Sequence, residues 1–459
     1  MIPVPFLSGK TVAVMGLGKS GTATAKALQA SGATVWAWDD GEPARAAAGG
    51  QGVPLVDLHT ADLGAAEMVV WSPGIPHTYP RDKANPVAAR ARTLGRPVVC
   101  DVELLARAKP NSRFLAVTGT NGKSTTTTLL AHVLAEAGRQ VAAGGNLGTA
   151  ALDMPDLGEG GRYVLELSSY QLELVDSLRL DAAVLLNITP DHLGRHGGME
   201  GYVAAKRRLF DRLAPGGTAV IGVDDAHCAA IADALSAEGR RVVRISAERM
   251  LDDGVCAPGG LLMDGGVVVC DLKTMARLPG RHNWQNACAV YAMARADGVE
   301  PVAIARALAS YPGLAHRQEL VAVKNGIAYV NDSKATNADA TEKALVCYDR
   351  IYWIIGGQPK EGGIISLEPH FGRIAHAFLI GEAAEQFAAT LEGRVAYTHC
   401  GELAKAVAEA ARMAAADPAP GKVVLLSPAC ASWDQFKSFE HRGAVFRQLV
   451  EALPKDGAR

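Results

Sequence analysis

The amino-acid sequence predicts an α/β protein with mostly parallel sheets. Short runs rich in Val, Ile and Leu recur, bounded by Gly, Pro or Asp, and Ala-rich helical stretches separate them. Continuous apolar runs are typical of strands covered on both faces, and the intervening helices make right-handed crossovers the natural connection. Examples of the predicted strands are 11–15, 34–38, 68–72, 114–118, 163–167, 183–188, 351–355 and 422–426.

Chain length and two polar breaks predict three domains. The 459 residues exceed what one compact core accommodates. Breaks at Lys109-Pro-Asn-Ser-Arg113 and Tyr311-Pro-Gly313 precede new strand-helix sets. We therefore predict a Rossmann-like N-terminal domain over 1–108, a central ATPase-like domain with a phosphate loop over 109–312, and a Rossmann-like C-terminal domain over 313–459.

Composition excludes several classes of protein. Lys and Arg number 46 against 48 Asp and Glu, a formal charge of −2, and no basic run exceeds Lys206-Arg207-Arg208, so we expect no nucleic-acid partner. No apolar stretch approaches the roughly 18 residues of a membrane span, and the first residues lack the pattern of a signal peptide. We expect a cytoplasmic protein without membrane insertion, whose eight cysteines are reduced.

The first predicted strand runs into a glycine-rich turn. Gly16-Leu-Gly18-Lys-Ser-Gly21 has the G-x-G-x-x-G pattern, and the second strand ends at Asp39. Such a turn brings the backbone close to a diphosphate at a helix N-terminus, while the acid can reach a ribose or base. The pattern indicates a nucleotide without saying which: NAD(P) and a purely structural turn both remain open. Ser72-Pro-Gly-Ile-Pro76 follows another strand at the same sheet edge.

A second glycine-rich loop, Gly119-Thr-Asn-Gly122-Lys-Ser-Thr125, predicts a site for ATP or GTP. It follows a strand and precedes a helix that we expect to begin around Thr126. Backbone N–H groups, the helix dipole, a Lys and a hydroxyl able to bind Mg²⁺ together form a triphosphate cradle. Val117 stands where the usual phosphate loop has its first Gly, so this loop is shorter.

Polar residues just after neighbouring strands predict a metal site beside this loop. Glu166 ends one strand, and Asn187-Ile-Thr-Pro-Asp191-His192 follows the next. Mg²⁺ prefers oxygen ligands and strict geometry, which suits such groups around a triphosphate. Alone, Glu166 would be interpreted as a satisfied buried acid and His192 as an ordinary residue at a helix start.

Three later motifs carry groups suited to a nucleotide. Asn283 and Asn286 open a helix and could pair with adenine edges, although helix capping is an alternative. Arg317 offers a guanidinium for phosphate, and Val330-Asn-Asp332-Ser-Lys334 offers an acid for ribose and a cation for developing charge.

Four motifs resemble those of the Mur ligase family of ATP-dependent amide-bond synthetases. They are Gly119–Thr125, Glu166-Leu-Ser-Ser-Tyr-Gln-Leu172, Asn187–His192 and Tyr202-Val-Ala-Ala-Lys206, and the resemblance covers essentially the whole chain. It implies ATP and two Mg²⁺ ions, with Ser124 and Glu166 on one ion and His192 on the other. It also implies that Lys206 is carbamylated, because an ammonium repels Mg²⁺ whereas a carbamate is an anionic oxygen ligand.

The resemblance also assigns the remaining site residues. Asn331-Asp-Ser-Lys-Ala-Thr-Asn337 and Ser427-Pro-Ala-Cys-Ala-Ser-Trp-Asp-Gln-Phe436 are closest to the branch of the family that adds D-glutamate. The implied ATP-binding residues are Gly119, Thr120, Asn121, Gly122, Lys123, Ser124, Thr125, Asn283, Asn286, Arg317 and Asp332. The implied residues for a UDP-sugar are Gly18, Lys19, Ser20, Asp39, Ser72, Gly74 and Asn146, and those for D-glutamate are Thr336, Lys360, Ser432, Trp433 and Phe439. The implied catalytic residues are Lys123, His192, Lys206 and Lys334.

By this resemblance the substrates are ATP, D-glutamate and UDP-N-acetylmuramoyl-L-alanine, and the enzyme is a monomer. The sugar-linked carboxylate would attack the ATP γ-phosphate, and the amine would then attack the acyl phosphate. Closure of the third domain onto the second would exclude water. Three alternatives stay open from the sequence: a sibling ligase or folylpolyglutamate synthetase, an NAD-dependent oxidoreductase, and a non-catalytic ATP-binding regulator.

Overall fold

The computed structural model describes residues 1–146, 148–360 and 362–454. The chain divides into two compact units. Unit 1 comprises residues 1–272 and 283–311, and unit 2 comprises residues 273–282 and those from 312 onward. The described residues hold parallel sheets with interspersed helices, so the predicted α/β class is confirmed.

Unit 1 begins with a 4-stranded parallel sheet in the order β2-β1-β3-β4. Its strands are largely buried, as their Val, Ala and Met content predicts, and helices follow them along the chain. The elements are β1 (Thr11–Met15), α1 (Lys19–Ala30), β2 (Thr34–Trp38), α2 (Glu42–Gly49), β3 (Met68–Trp71), α3 (Pro86–Thr93), β4 (Val98–Val99) and α4 (Asp101–Ala108).

The second sheet of unit 1 has 9 strands in the order β13-β12-β11-β10-β9-β8-β5-β7-β6. The seven neighbouring strands β11, β10, β9, β8, β5, β7 and β6 are all parallel. β12 pairs antiparallel with β11, and β13 pairs antiparallel with β12. Its strands and the helices between and after them are β5 (Arg113–Thr118), α5 (Lys123–Glu136), β6 (Val141–Gly145), β7 (Arg162–Glu166), α6 (Ser169–Leu172), β8 (Leu180–Leu185), α7 (Leu193–His196), α8 (Met199–Asp211), β9 (Leu213–Gly222), α9 (Ala226–Ala237), β10 (Arg241–Ser246), β11 (Val255–Cys256), β12 (Leu261–Asp264), β13 (Val267–Asp271), α10 (Arg281–Ala296), whose first two residues are assigned to unit 2, and α11 (Pro301–Ser310).

The two sheets of unit 1 share one hydrophobic core. Buried residues from Ile2 to Leu235 form a single cluster that includes members of both sheets. Backbone hydrogen bonds join the parts as well: the Ile2 N–H donates to the Leu152 carbonyl at 2.7 Å, and the Cys100 N–H donates to the Leu174 carbonyl at 3.0 Å. The strand-end loops of the two sheets are therefore held in one packed body.

Unit 2 contains a 6-stranded sheet in the order β14-β15-β19-β16-β17-β18, parallel except for the antiparallel pair β14 and β15. Two hydrophobic clusters form its core. Its elements are β14 (Glu319–Lys324), β15 (Ile327–Asn331), α12 (Ala338–Leu345), β16 (Arg350–Gly356), β17 (Ile374–Ile380), α13 (Ala384–Leu391), β18 (Tyr397–Gly401), α14 (Leu403–Ala416), β19 (Lys422–Leu426) and α15 (Phe439–Ala452).

Two predicted elements differ from the structure by more than one residue at a boundary. The strand expected over 183–188 is β8, which ends at Leu185 because its partner β5 ends at Thr118, where the glycine-rich loop begins. The helix expected to begin around Thr126 begins at Lys123, because Gly122 adopts a left-handed φ of 86° and caps it. Lys123 and Ser124 therefore lie in the first helical turn.

The described helices and the cysteines can be compared with the expectations from composition. The described residues contain no helix long and apolar enough to cross a membrane. All eight cysteines are free, and six of them are buried.

Candidate active site

The turn after β1 is built on a close backbone approach. A Cβ on Gly21 would lie 1.7 Å from the Gly16 carbonyl oxygen, so only glycine fits at position 21. Asp39, at the end of β2, accepts hydrogen bonds from the Leu17 N–H at 2.7 Å and from the Gly41 N–H at 2.8 Å. Each of its carboxylate oxygens thus shapes a turn.

A cavity of ≈ 430 Å³ lies where the loops after β1, β3, β6 and β7 meet. It brings together five of the seven residues predicted to bind a UDP-sugar: Lys19, Ser20, Ser72, Gly74 and Asn146. Gly18 lines an adjacent cavity of ≈ 390 Å³, and Asp39 lines neither cavity. We call the larger space the substrate cavity. Its other lining residues are Pro73, Gly145, Gly148, Ala150, Ser168, Tyr170 and Gln171.

Asp101 hydrogen-bonds two segments that line this cavity, and it was not predicted from the sequence. It is 2% exposed and accepts hydrogen bonds from the Ala151 N–H at 3.2 Å and from the Ser20 side chain. Burial raises the pKa of Asp101. An acid at the first position of a helix is ordinarily interpreted as a partner of the helix dipole. The sequence therefore gives no sign that Asp101 also binds the loops of the cavity.

The loop from Gly119 to Thr125 wraps around a lysine. Gly122 favours glycine, because its φ of 86° is left-handed and a Cβ would also lie 2.4 Å from Asn286 Oδ1. The Lys123 ammonium donates to the carbonyl oxygens of Gly119 at 3.0 Å and Thr120 at 2.7 Å. The Asn121 N–H donates to Asn187 Oδ1 at 2.9 Å, which ties the loop to the segment after β8. The loop therefore presents Lys123 at the N-terminus of α5, as a phosphate site requires.

Lys206 reaches the same loop from α8. Its ammonium donates to the Gly119 carbonyl at 2.8 Å and lies 4.7 Å from the Tyr202 ring centroid. The residue is 2% exposed. Burial, together with the nearby Lys123 ammonium, lowers the pKa of Lys206 to about 7. A buried amine that readily becomes neutral is a nucleophile, unlike an ordinary surface lysine.

Glu166 lies at the end of β7, between a residue of the substrate cavity and the strand β5 that leads into the Gly119–Thr125 loop. Its Oε1 accepts a hydrogen bond from the Asn146 amide at 2.8 Å, and Asn146 lines the cavity. Glu166 is 3% exposed, and its Oε2 has no hydrogen-bond partner among the described residues. A buried carboxylate oxygen without a donor is suited to a cation.

His192 stands at the start of α7, where its backbone adopts a left-handed φ of 52°. Its imidazole lies 3.4 Å from Asp191 Oδ2 and 5.2 Å from the Tyr170 ring centroid, and half of the side chain is exposed. His192 is thus beside a residue that lines the substrate cavity.

The donor groups fit Mg²⁺ bound together with a nucleotide. Among the described residues, no three His, Cys, Asp or Glu side chains converge to hold a metal ion by themselves. The free oxygen of Glu166 and the hydroxyl of Ser124, which is 8% exposed, are oxygen donors of the kind Mg²⁺ uses when phosphate and water complete its shell.

Asn283 and Asn286 lie on α10. The Asn286 amide donates to Asn283 Oδ1 at 3.1 Å, and both residues are buried. Asn286 lies beside Gly122 of the glycine-rich loop, since a Cβ on Gly122 would lie 2.4 Å from Asn286 Oδ1.

In unit 2 the predicted residues collect at one sheet edge. Thr336 follows β15, Lys360 follows β16, and Ser432 and Trp433 follow β19, which lies between those two strands. Ser432 is 2% exposed, whereas Trp433 is 73% exposed. The carboxyl ends of parallel strands are where ligands of open sheets bind.

Close backbone contacts fix these loops relative to one another. The N–H groups and carbonyls of Gln358 and Ala431 pair at 3.0 and 3.1 Å, so the segment before Lys360 lies beside the segment before Ser432. A Cβ on Gly357 would lie 2.4 Å from the Ala431 carbonyl oxygen, which explains the glycine.

Phe439, Lys334 and Arg317 complete the predicted groups of unit 2. Phe439 begins α15, and the Lys334 ammonium lies 5.3 Å from its ring centroid. The Nε of Arg317 is buried and has no hydrogen-bond partner within the described part of the chain. It is suited to an anion such as phosphate.

Asp332 is a buried acid that should make stability depend on pH. Burial raises the pKa of Asp332 to about 7, although it accepts hydrogen bonds from Ser427 Oγ at 2.8 Å and the Gln318 N–H at 3.1 Å. The unfolded chain ionises this group near pH 4, so the folded state holds the extra proton between pH 4 and 7. Stability contributed by the neutral acid is therefore lost as pH rises through that window.

We expect Asp332→Asn to raise the Tm at pH 8 by about 2–6 °C and to have a smaller effect at pH 5.5. Asparagine can accept from Gln318 and donate to Ser427 without ionising. Thermal unfolding at both pH values measures the effect, with Asp349→Asn, at an exposed ion pair with Arg373, as the control. A variant less stable than wild type at pH 8 would contradict this account.

Fold and site together define a nucleotide-using α/β enzyme with a phosphate loop beside a polar substrate cavity. Residues 117–294 match the Mur ligase middle domain, and residues 316–430 match the domain described as Mur ligase, glutamate ligase domain. The chain belongs to the Mur ligase family, whose members use ATP and Mg²⁺.

Curated relatives match over the full length. The chain is 67% identical over 458 residues to the UDP-N-acetylmuramoylalanine–D-glutamate ligase of Paramagnetospirillum magneticum, covering 100% of both chains. It is 56% identical to the enzyme of the same name from Rhodospirillum rubrum, covering 99% of this chain and 97% of that one. Among solved structures, UDP-N-acetylmuramate-alanine ligase from Thermotoga maritima has the same fold, with a TM-score of 0.59 at 18% identity, covering 96% of this chain and 99% of that chain.

Proposed function

We propose that the protein is an ATP-dependent ligase that joins D-glutamate to UDP-N-acetylmuramoyl-L-alanine in peptidoglycan precursor synthesis. The names of its full-length relatives support the reaction. The observation that carries the proposal is the link through Glu166. This residue connects Asn146 in the substrate cavity with the strand beside the phosphate loop, so a carboxylate held in the cavity can meet the ATP γ-phosphate.

The proposed division of labour follows the three predicted domains. Residues 1–108 hold the UDP-sugar, 109–312 hold ATP, and 313–459 supply the D-glutamate groups. Lys19 and Ser20 at the N-terminus of α1 suit the diphosphate of the UDP-sugar. We place the enzyme in the cytoplasm, where these substrates are made, and propose that it acts as a monomer.

The first step makes the substrate carboxylate reactive. A carboxylate is a poor electrophile, so the terminal L-alanine carboxylate attacks the ATP γ-phosphate and ADP leaves. Lys123 at the start of α5 neutralises charge on the transferring phosphoryl group, and Arg317 supplies a second cation. His192, next to Tyr170 in the cavity wall, orients the attacking carboxylate.

The second step forms the amide. The D-glutamate amine attacks the acyl phosphate, the tetrahedral intermediate collapses, and phosphate leaves. Lys334 stabilises developing negative charge. Thr336, Lys360, Ser432, Trp433 and Phe439 hold D-glutamate, and Lys360 suits one of its carboxylates.

Mg²⁺ would be held by Ser124 and Glu166 at one position and by His192 and carbamylated Lys206 at a second, and it supplies charge neutralisation for the triphosphate. Two features support the modification of Lys206: its burial and its lowered pKa. A neutral amine can react with CO₂, and the resulting carbamate is an oxygen ligand. Asn283, Asn286 and Asp332 bind the adenine and ribose.

Phosphate release tests the proposal. ATP, Mg²⁺ and UDP-N-acetylmuramoyl-L-alanine are mixed with the protein and with D-glutamate, L-glutamate, L-alanine or a diamino acid. We expect release that requires D-glutamate. Release with a different amino acid would assign the chain to a sibling activity, and release with none of them would refute the ligase proposal.

A further inference from the structure

Glu173 lies at the centre of a buried polar cluster that the proposed chemistry does not use. Its Oε2 is 3.1 Å from His77 Nε2, and its Oε1 is 3.2 Å from His196 Nδ1. The His77 and His196 side chains are 5% and 1% exposed. Burial alone would raise the pKa of Glu173, but hydrogen bonds from both histidines outweigh it and lower the pKa to about 2. The hub of the cluster is therefore a carboxylate.

His77 has one possible hydrogen-bonding arrangement. Arg92 NH2 lies 2.7 Å from His77 Nδ1, and Arg92 NH1 donates to the His77 carbonyl at 2.8 Å. A guanidinium only donates, so Nδ1 accepts and the Nε2–H donates to Glu173. His77 lies on the loop after β3, which begins with Ser72 and Gly74 of the substrate cavity. Glu173 thus anchors that loop at His77.

His196 connects the same carboxylate to a second wall of the cavity. Its Nδ1–H donates to Glu173, which leaves Nε2 to accept from the Ser169 hydroxyl at 2.9 Å. The imidazole packs between Tyr170 and Tyr202, with ring centroids 5.4 and 5.5 Å away. Tyr170 lines the cavity.

Arg195 reinforces both connections from the same helical turn. It donates to the carbonyl oxygens of Tyr79 at 2.7 Å and Pro73 at 3.0 Å, and its guanidinium lies 4.6 Å from the Tyr170 ring centroid. This turn, α7, begins after His192. One short helix therefore carries His192 at its start and holds two walls of the cavity at its end.

We propose that Glu173, His77 and His196 form a positioning cluster that keeps the loop after β3 and the His192 turn in register around the UDP-sugar substrate. The inference rests on the proposed function and deepens it. None of the three residues touches the reacting atoms. They act through Ser72, Gly74 and His192. Without the cluster, the loops that carry these residues could move away from α6, whose residues line the other side of the cavity.

The test compares Glu173→Ala, Glu173→Gln and His196→Phe. For the alanine variant we expect the KM for UDP-N-acetylmuramoyl-L-alanine to rise by about 10-fold or more, because misplaced walls weaken the bound geometry. The KM values for ATP and D-glutamate should stay within about 2-fold. The Glu173→Gln variant should have a KM close to that of wild type. Its amide oxygen accepts from His77, and its amide N–H donates to His196 once that histidine changes tautomer.

His196→Phe keeps the aromatic packing and removes two hydrogen bonds, so it tests the cluster even if the alanine variant unfolds. The KM of this variant for the UDP substrate should lie between the KM values of the Glu173→Gln and Glu173→Ala variants. Glu385→Gln, at an exposed pair with His399, is the matched control and should behave as wild type. If wild type shows no D-glutamate-dependent phosphate release, the proposed function fails. If wild type is active and the variants keep its KM for the UDP substrate, or change all three KM values alike, the positioning cluster is wrong.

Discussion

Replacing Lys206 by methionine is expected to lower kcat by about 10³-fold while leaving the chain folded. In the proposed site the carbamate of Lys206 is a Mg²⁺ ligand, and methionine cannot form it. Folding should survive because the lowered pKa means that a charged Lys206 opposes folding. The unfolded state holds more protons between pH 7 and about 10, so wild-type stability rises with pH across that window. The variant should lack this contribution.

Steady-state phosphate release and thermal unfolding measure the two effects. Arg207→Met removes a cation from the same helix, at an exposed pair with Glu238, and should retain activity. Purging CO₂ from wild type should lower its activity, and bicarbonate should restore it, more readily at pH 8 than at pH 6.5, because only the neutral amine reacts. A Lys206→Met enzyme with near wild-type kcat would show that Lys206 has no part in the site.

Lys123→Met is expected to lower kcat by a comparable factor, about 10²- to 10³-fold. Lys123 is the first residue of α5, and in the proposed site the charge of its ammonium meets the transferring phosphoryl group. It donates to the carbonyl oxygens of Gly119 and Thr120, and methionine keeps the length of the side chain.

The KM for the UDP substrate should change little in this variant, since Lys123 does not line the substrate cavity. Lys10→Met, at an exposed pair with Glu67, is the control for loss of a lysine. A Lys123→Met enzyme with unchanged kcat and a raised KM for the UDP substrate alone would contradict a phosphate role for this loop.

Much of the fold could be predicted because its signals are local. Buried parallel strands such as β1 and β19 consist of uninterrupted apolar runs, and both have the predicted bounds. The end of β8 could not be predicted, since it depends on where the partner strand stops. The antiparallel strands from β11 to β13 were missed because β11 is two residues long and carries little pattern.

The site divides in the same way. Glycines at 21 and 122 and the lysine at 123 follow from motifs, because backbone geometry at a turn is encoded over a few residues. Ser168 and Gln171, which line the cavity, were missed although they form a capping box that the S-x-x-Q spacing could have indicated. The pairing of His77 with Glu173 spans 96 residues and depends on how two sheets pack, so no local pattern reveals it.

The fate of an oxygen label tests the ligase account most directly. UDP-N-acetylmuramoyl-L-alanine labelled with ¹⁸O in its alanine carboxylate is turned over with ATP and D-glutamate, and the products are analysed by mass spectrometry. Attack of the carboxylate on the γ-phosphate transfers one labelled oxygen to inorganic phosphate and leaves the other in the new amide. We expect labelled phosphate in an amount equal to the amide formed. Amide formation with unlabelled phosphate, or phosphate release without amide, would contradict the acyl-phosphate mechanism.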